Sequence, residues 1–121
     1  MINIDHIGIP AYDAGSSARA LAAILGASEP TLDGADDDMY RVDLDGAFLL
    51  FSDAKSFTQA HVAFRVTDEQ STQIIARLEL RGQAFGNDPE DPENHRTDDP
   101  HFGGRRVYWL DENKHVFEAT C

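Results

Sequence analysis

Glu118 is the residue of this sequence that fits its surroundings least. It lies in the run HVFEAT, from His115 to Thr120, which is rich in β-branched and aromatic residues and predicts a β-strand. Side chains alternate between the faces of a strand, so Glu118 shares a face with Val116 and Thr120. A carboxylate within an apolar strand is stable only when water, an opposite charge or a metal ion compensates for its charge. Glu118 is therefore a candidate for a functional site.

Two histidines lie at equivalent positions of two similar segments. The segments IDHIGIP from Ile4 and AHVAFRV from Ala60, aligned at their histidines, give His6 and His61 the same place in two predicted strands. Each strand precedes a predicted helix that ends near a glycine. The similarity indicates an internal repeat of about 55 residues. By itself, each histidine would be interpreted as a hydrogen-bonded core residue.

When the repeat is continued to the last strand of each half, Leu50 of the first half aligns with Glu118 of the second. The first and last strands of the two halves then carry two imidazoles and one carboxylate. These donors suit Fe²⁺, Mn²⁺, Ni²⁺ or Zn²⁺, and three protein ligands leave positions open for a substrate. Such an ion can polarise a bound oxygen or hold two adjacent oxygens at once. His6, His61 and Glu118 are the predicted metal ligands.

Further candidates lie in the preceding strand. Tyr108 is predicted to share a face with Arg106 and Leu110, which lets its hydroxyl reach a substrate oxygen and makes it a candidate catalytic residue. The alternative is a ring in the core with its hydroxyl at the rim. Alternation directs only one of Arg105 and Arg106 inward, where a guanidinium could bind a carboxylate or phosphonate of the substrate. Pairing with surface acids is the alternative for both.

A polar segment with three prolines lies between Phe85 and Gly104. Connections without regular structure longer than about 12 to 15 residues are uncommon in compact domains and often act as lids. We interpret residues 86–104 as a candidate lid. Within it, His95 is a candidate general base and His101 a candidate substrate contact. Solvated loop residues are the alternative interpretation.

The elements that must position these residues repeat the order strand, helix, strands. The first half predicts, in sequence order, a strand at 3–9 ended by Pro10, a helix at 14–25, and strands at 39–44 and 47–52. The second half predicts a strand at 61–66, a helix to about Leu80, and a closing hairpin of 106–110 and 115–120.

Capping residues support both helices. Asp13 precedes the first helix as a candidate N-cap, and Gly26 follows it. Thr67 and Gln70 have the spacing of a capping box at the start of the second helix.

Composition limits the classes of function. With 121 residues the chain is long enough for one domain with a core. Its net charge of −12 disfavours nucleic acid as a partner, and no apolar run is long enough for a membrane span. The single cysteine, Cys121, cannot form an internal disulfide, which suits the cytoplasm.

The chain resembles the vicinal-oxygen-chelate superfamily, which includes glyoxalase I, extradiol dioxygenases, fosfomycin-resistance thiol transferases and bleomycin-resistance proteins. The resemblance covers essentially the whole chain and rests on IDHIGIP at Ile4, HVAFRV at His61 and VYWLDENKHVFEAT at Val107. It implies one α+β domain of two tandem βαβββ modules, about 1–53 and 59–121. These would form a cupped mixed sheet with the helices on its outer face.

The resemblance implies the same ligands, His6, His61 and Glu118. The chain departs from glyoxalase I at Leu50, where that enzyme commonly has a fourth, glutamate ligand. The first hypothesis is a metal-dependent dioxygenase, thiol transferase or lyase/isomerase whose small substrate is chelated through vicinal oxygens. The second is a metal-free protein that sequesters a drug or metabolite. The resemblance also implies a homodimer, in which the ligands come together within one chain or across two.

Overall fold

The computed structural model describes residues 1–98 and 104–121. This part of the chain is an α+β protein. In chain order its elements are β1 (His6–Ala11), α1 (Ala14–Leu25), β2 (Thr31–Asp33), β3 (Met39–Leu44), β4 (Ala47–Asp53), β5 (His61–Arg65), α2 (Asp68–Leu80), β6 (Arg106–Leu110) and β7 (Val116–Thr120). Neither described helix is long and apolar enough to cross a membrane.

The chain divides into two compact units, Met1–Thr58 and Gln59–Cys121. The first unit holds a four-stranded sheet in the order β1-β4-β3-β2, in which only β1 and β4 are parallel. Helix α1 packs against β1, β3 and β4. The core side chains between helix and sheet include Ile9, Leu21, Val42, Leu49 and Phe51, each at most 2% exposed. The order β1-α1-β2-β3-β4 is the predicted βαβββ module.

Local signals place α1 where the sequence predicted it. The Asp13 side chain accepts a hydrogen bond from the backbone N–H of Ser16 at 3.0 Å, which satisfies one of the free donors of the first turn. At the other end, Gly26 adopts a left-handed conformation with φ of 72°, which favours glycine. Both predicted cap residues are confirmed.

The second unit holds a three-stranded sheet in the order β5-β7-β6, with β5 and β7 parallel and β6 and β7 antiparallel. Residue Gly86 pairs with Tyr108 beyond β6, at the place that a further strand of the module would occupy. One face of the sheet is apolar, with Trp109 and Phe117 at most 1% exposed. Helix α2 begins with the predicted capping box of Thr67 and Gln70. The α+β fold class is therefore confirmed.

The strand registers confirm the internal repeat. In the first unit Gly8 lies opposite Leu50, and in the second Ala63 lies opposite Glu118. Gly8 and Ala63 each follow a histidine by two residues, so the two parallel pairs have the same register relative to His6 and His61. Leu50 and Glu118 occupy equivalent positions, as the sequence predicted.

The first strand runs over His6–Ala11 instead of the predicted 3–9, and one strand was missed. Pro10 does not end the first strand, because β1 continues to Ala11 with Pro10 opposite Ser52. Proline has no backbone N–H to donate, but β1 lies at the edge of its sheet, where one side of the strand needs no partner. The short strand β2 was missed, since its three residues lie in a stretch rich in turn residues and carry no periodic pattern.

Candidate functional site

Four polar side chains share one face of the second unit's sheet, and we refer to them as the Glu118 cluster: His61, Arg106, Tyr108 and Glu118. Glu118 lies opposite Ala63 of β5 on one side and opposite Tyr108 of β6 on the other. Because side chains alternate along a strand, His61 and Arg106, each two residues away from these partners, lie on the same face. The predicted common face of Arg106 and Tyr108 is confirmed.

The two carboxylate oxygens of Glu118 face different partners. Its Oε1 lies 3.0 Å from Nε2 of His61, and its Oε2 lies 3.3 Å from Nε of Arg106. Glu118 is only 7% exposed. A carboxylate that is removed from water needs such compensation, and here an imidazole and a guanidinium provide it from two neighbouring strands.

Tyr108 adds a phenol to this cluster. It is 4% exposed, and its ring meets that of His61 edge to face with 5.9 Å between centroids. Burial raises the pKa of the Tyr108 hydroxyl, the Glu118 carboxylate adds to the rise, and Arg106 opposes it. A phenol is already protonated at neutral pH, and the raised pKa of Tyr108 extends this state to higher pH, so Tyr108 is a hydrogen-bond donor rather than a base.

The separation of His61 and Glu118 suits two ligands of one metal ion. First-row ions bind imidazole nitrogen and carboxylate oxygen at about 2.0 to 2.2 Å, so ligands at adjacent octahedral positions lie about 3 Å apart. The observed distance between Nε2 and Oε1 is 3.0 Å. In this structure that distance is a direct hydrogen bond between the two side chains, and the same spacing is compatible with two of the predicted ligand positions. Among residues 1–98 and 104–121, no group of three His, Cys, Asp or Glu side chains is arranged to hold an ion.

His6, the predicted third ligand, lies on β1 in the first unit. Its Nδ1 is 2.8 Å from Oδ2 of Asp5, and its ring stacks on Phe48 at 4.9 Å between centroids. The Arg41 guanidinium lies over the same phenyl ring, 3.6 Å from its centroid. An ionised carboxylate only accepts hydrogen bonds, so Nδ1 donates to Asp5, and in neutral His6 the lone pair is on Nε2. A histidine ligand commonly has this arrangement, with its other nitrogen bonded to a carboxylate.

The segment that follows Phe85 is fastened to β6 at both ends. Gly86 and Tyr108 exchange two backbone hydrogen bonds, of 3.0 and 2.7 Å, and the backbone N–H of Arg106 donates to the carbonyl of Thr97 at 3.0 Å. Residues 86–98 form no helix or strand, as the sequence predicted, but these hydrogen bonds hold them to β6. The role of the segment as a lid stays a prediction.

Two asparagines hold the turn within this segment. The Asn94 Oδ1 accepts from the backbone N–H groups of Asn87, at 3.2 Å, and Arg96, at 2.8 Å, while its Nδ2 donates to Asn87 Oδ1 at 2.7 Å. Asn87 Nδ2 in turn donates to the carbonyl of Asp98 at 2.9 Å. Side-chain amides thus replace the backbone pairing of regular structure.

A polar pocket of about 700 Å³ lies within the second unit, between this segment and two members of the Glu118 cluster, and neither His61 nor Glu118 lines it. Its volume is in the range of pockets that bind small molecules. Among its lining residues are the cluster members Arg106 and Tyr108. The charged residues that line it are four acids and two arginines, a net charge of −2: Asp88, Glu90, Asp91, Asp98, Arg96 and Arg106.

The other predicted site residues lie elsewhere or outside the described chain. His95 is exposed, packs edge to face on Phe85 at 5.3 Å between ring centroids, and lines a separate hollow of about 560 Å³. Arg105 donates to the carbonyl of Asp68 and to the hydroxyl of Thr72 at the start of α2. His101 lies outside the described residues. Of the two arginines, Arg106 is the one beside Glu118, in keeping with the predicted alternation.

Three contacts of the predicted ligands were not predicted from the sequence. His6 contacts Asp5 and Phe48, and Glu118 pairs with Arg106. The hairpin register could have indicated the last one. Placing Tyr108 opposite Glu118 leaves Arg106 as its diagonal neighbour, within reach of a long side chain.

His115 differs from His6 and His61, because it is fully buried and its hydrogen bonds stabilise the sheet. Its Nδ1 accepts a hydrogen bond from the backbone N–H of Ala60 at 2.8 Å, and its backbone N–H donates to Asp111 Oδ1 at 2.9 Å.

Comparison with solved structures identifies the family to which the chain belongs. The oxidase ChaP-H1 is 30% identical, with 99% of this chain and 95% of that chain covered and a TM-score of 0.87. The chain belongs to the vicinal-oxygen-chelate superfamily. A second superfamily member, the oxidase ChaP-H2, is 28% identical, with 98% and 92% covered and a TM-score of 0.85.

More distant superfamily members share the fold alone. The fosfomycin-resistance protein FosX from Listeria monocytogenes, solved with Mn(II) and sulfate, is 18% identical, with 100% of this chain and 91% of that chain covered and a TM-score of 0.70. No protein-family model matches the chain, and no curated protein sequence matches it.

Proposed function

We propose that the protein is a divalent-metal-dependent enzyme in which His6, His61 and Glu118 hold one Fe²⁺, Mn²⁺, Ni²⁺ or Zn²⁺ ion. Its substrate is a small molecule that binds this ion through two adjacent oxygens. The proposal includes a cytoplasmic homodimer, with His6 supplied by the same chain or by the partner copy.

The observation that carries the proposal is the pairing of His61 and Glu118. Two donors of the types that first-row ions prefer lie 3.0 Å apart, and the carboxylate is almost inaccessible to solvent. His6 supports the assignment, because it is equivalent to His61 in the repeat. Its Nδ1 contacts Asp5, which leaves the lone pair of Nε2 to bind the metal ion.

The residues around the pair give the substrate its position. The substrate occupies the polar pocket lined by Arg106 and Tyr108. Tyr108 donates a hydrogen bond to a substrate oxygen, since its raised pKa keeps the hydroxyl protonated. A bound divalent ion supplies Lewis acidity at the chelated oxygens. The segment after Gly86 covers the pocket and limits the access of water.

The favoured reaction class is oxidation of the chelated substrate by a dioxygenase-type reaction. Support comes from ChaP-H1, which is named an oxidase and is 30% identical over nearly the whole chain. Leu50, in place of a carboxylate, weighs against an isomerase that needs a fourth ligand there. Thiol transfer and lyase chemistry are the other reactions that a chelated substrate permits.

A second candidate function is that of a metal-free protein that binds a drug or metabolite. The observation that favours it is the ion pair of Arg106 and Glu118, at 3.3 Å, because a guanidinium compensates for the carboxylate without any metal.

Elemental analysis of protein purified without chelators distinguishes the two candidates. We expect about one equivalent of a first-row metal per chain, lost in His61→Ala and retained in His95→Ala, whose side chain lines a different hollow. A substrate screen under anaerobic and aerobic conditions, with catechols, epoxides and 2-oxoaldehydes, then tests the reaction class. Ligand binding at full strength by metal-free wild-type protein would instead establish the second candidate.

A further inference from the structure

We infer that Arg106 is a positioning residue that restricts Glu118 to one bond with the metal ion and thereby keeps a coordination position open for the substrate. The inference rests on the proposed function, in which His61 and Glu118 are ligands of one ion. It assigns Arg106 a role toward Glu118 in addition to lining the pocket.

The two oxygens of the Glu118 carboxylate have different neighbours. A glutamate can bind a metal ion through one oxygen or through both. In this structure Oε1 faces His61 Nε2 at 3.0 Å, which suits a shared ion, whereas Oε2 lies 3.3 Å from Arg106 Nε. An ion that bound both oxygens would have to approach the guanidinium, and two positive charges repel each other.

The Arg106 guanidinium lies beside Glu118 on a strand whose backbone is anchored. The backbone N–H of Arg106 donates to the carbonyl of Thr97 at 3.0 Å, and its side chain is 30% exposed, which leaves it partly withdrawn from solvent beside Tyr108. Arginine stays charged at every pH at which the protein is folded, so the positive charge beside Oε2 does not depend on pH.

A carboxylate with one metal bond leaves more coordination positions for a substrate. In the proposed site, two imidazoles and one carboxylate oxygen would occupy three of the six positions of an octahedral ion and leave three open. A second bond from Glu118 would occupy one of these. A substrate that binds through two adjacent oxygens and leaves room for a co-substrate needs all three, so a carboxylate limited to one bond favours chelation.

The experiment measures coordination directly by titrating Mn²⁺ into the metal-free full-length protein. Electron paramagnetic resonance gives the dissociation constant, and the relaxation rate of water protons gives the number of exchangeable water molecules on the bound ion. The variants are Arg106→Gln, Arg106→Lys and, as a matched control, Arg105→Gln, whose side chain contacts α2. Circular dichroism confirms that each variant is folded.

For Arg106→Gln we expect about one fewer exchangeable water than in the wild type, because the freed Oε2 takes its place on the ion. The dissociation constant should stay equal or fall several-fold, since a nearby positive charge is removed. Arg106→Lys keeps a positive charge and should retain the wild-type number, as should Arg105→Gln.

Two results would overturn the inference alone: an unchanged number of waters in folded Arg106→Gln, or Mn²⁺ binding that weakens, which indicates a merely structural role. Wild-type protein that fails to bind Mn²⁺ or any other first-row ion would overturn the proposed function together with the inference. The two failures are thus distinguishable.

Discussion

Tyr108 and Glu118 face each other directly across β6 and β7, so a phenol and a carboxylate share one nearly inaccessible position of the sheet. A carboxylate beside a phenol disfavours the phenolate, because the two negative charges would repel each other. Arg106 reduces this repulsion without removing the effect of burial, and the pKa of Tyr108 is raised as a result. The Tyr108 hydroxyl thus has Glu118 and Arg106 as its hydrogen-bond partners, and burial keeps it in the neutral form.

This relationship predicts how Tyr108 titrates. Its phenol should ionise above the ordinary pKa of 10.0, and the difference between the tyrosinate absorbance of the wild type and of Tyr108→Phe assigns that ionisation. The unfolded chain releases this proton first, so the stabilising contribution is complete below about pH 10 and is lost as the pH rises through the higher pKa of the folded protein. Denaturant unfolding should therefore show a smaller loss of stability with alkaline pH in Tyr108→Phe.

Replacing either of two histidines of the second unit by alanine should lower the free energy of unfolding by very different amounts. His115→Ala removes the acceptor of the Ala60 backbone N–H from a fully buried position and should lower the free energy of unfolding by about 2 to 4 kcal/mol. His61→Ala changes a side chain that is 48% exposed and leaves Arg106 to compensate for the Glu118 carboxylate, so it should cost the metal-free protein about 1 kcal/mol.

Urea denaturation of both metal-free variants measures this contrast. Metal analysis then completes it, because His61→Ala should lose the ion, whereas His115→Ala, where it folds, should retain it. Equal losses of stability in the two variants would contradict the assignment of His115 to the sheet and His61 to the site.

Local chemistry explains why much of the fold was predictable from the sequence. The Asp13 cap and the box of Thr67 and Gln70 involve residues three apart, so the sequence contains both partners of each hydrogen bond. The repeat also predicted the equivalence of Leu50 and Glu118, because a parallel pair has a register that two similar halves share.

The rest depends on contacts between distant residues. The turn after Gly86 is held by the amides of Asn87 and Asn94, and no periodic pattern distinguishes such asparagines from solvated ones. The ion pair of Arg106 and Glu118 joins two strands, so it requires the register of the hairpin as well as its existence. Residues of the predicted site could be named individually, whereas their mutual contacts could not.

Gly86→Ala should disrupt the pocket. A methyl group at Gly86 would meet the backbone N of Asn94 and the carbonyl of Asp91, both at 2.8 Å, and backbone atoms cannot easily move away. We expect a loss of about 1 to 3 kcal/mol in the free energy of unfolding and faster hydrogen exchange in residues 87–98.

The matched control is Gly8→Ala, where no atom lies within 4 Å of the added methyl group, and it should change stability by less than about 0.5 kcal/mol. Hydrogen exchange followed by mass spectrometry checks the local effect. Unchanged exchange in residues 87–98 of Gly86→Ala would show that close packing at this glycine does not hold the turn.

The charge of the pocket predicts which ligands it prefers. Four carboxylates and two guanidiniums line it, and the Glu90 and Asp91 side chains form no hydrogen bond or ion pair within the described residues. Catechol and 3,4-dihydroxybenzoate both present two adjacent oxygens, but only the second carries a negative charge near neutral pH. Repulsion from the lining should make the metal-loaded wild type bind catechol more tightly than the benzoate.

Neutralising these acids should reduce the preference. In the double variant Glu90→Gln/Asp91→Asn, we expect the ratio of the two dissociation constants to fall by about three- to tenfold, because each exposed charge contributes up to about 1 kcal/mol. Isothermal titration calorimetry measures both constants, and added salt should shrink the wild-type preference as the charges are screened. Asp36→Asn/Asp37→Asn, in a turn of the first unit, is the control with the same change in net charge. An equal fall in that control would mean that the net charge of the whole chain, rather than the pocket, sets the preference.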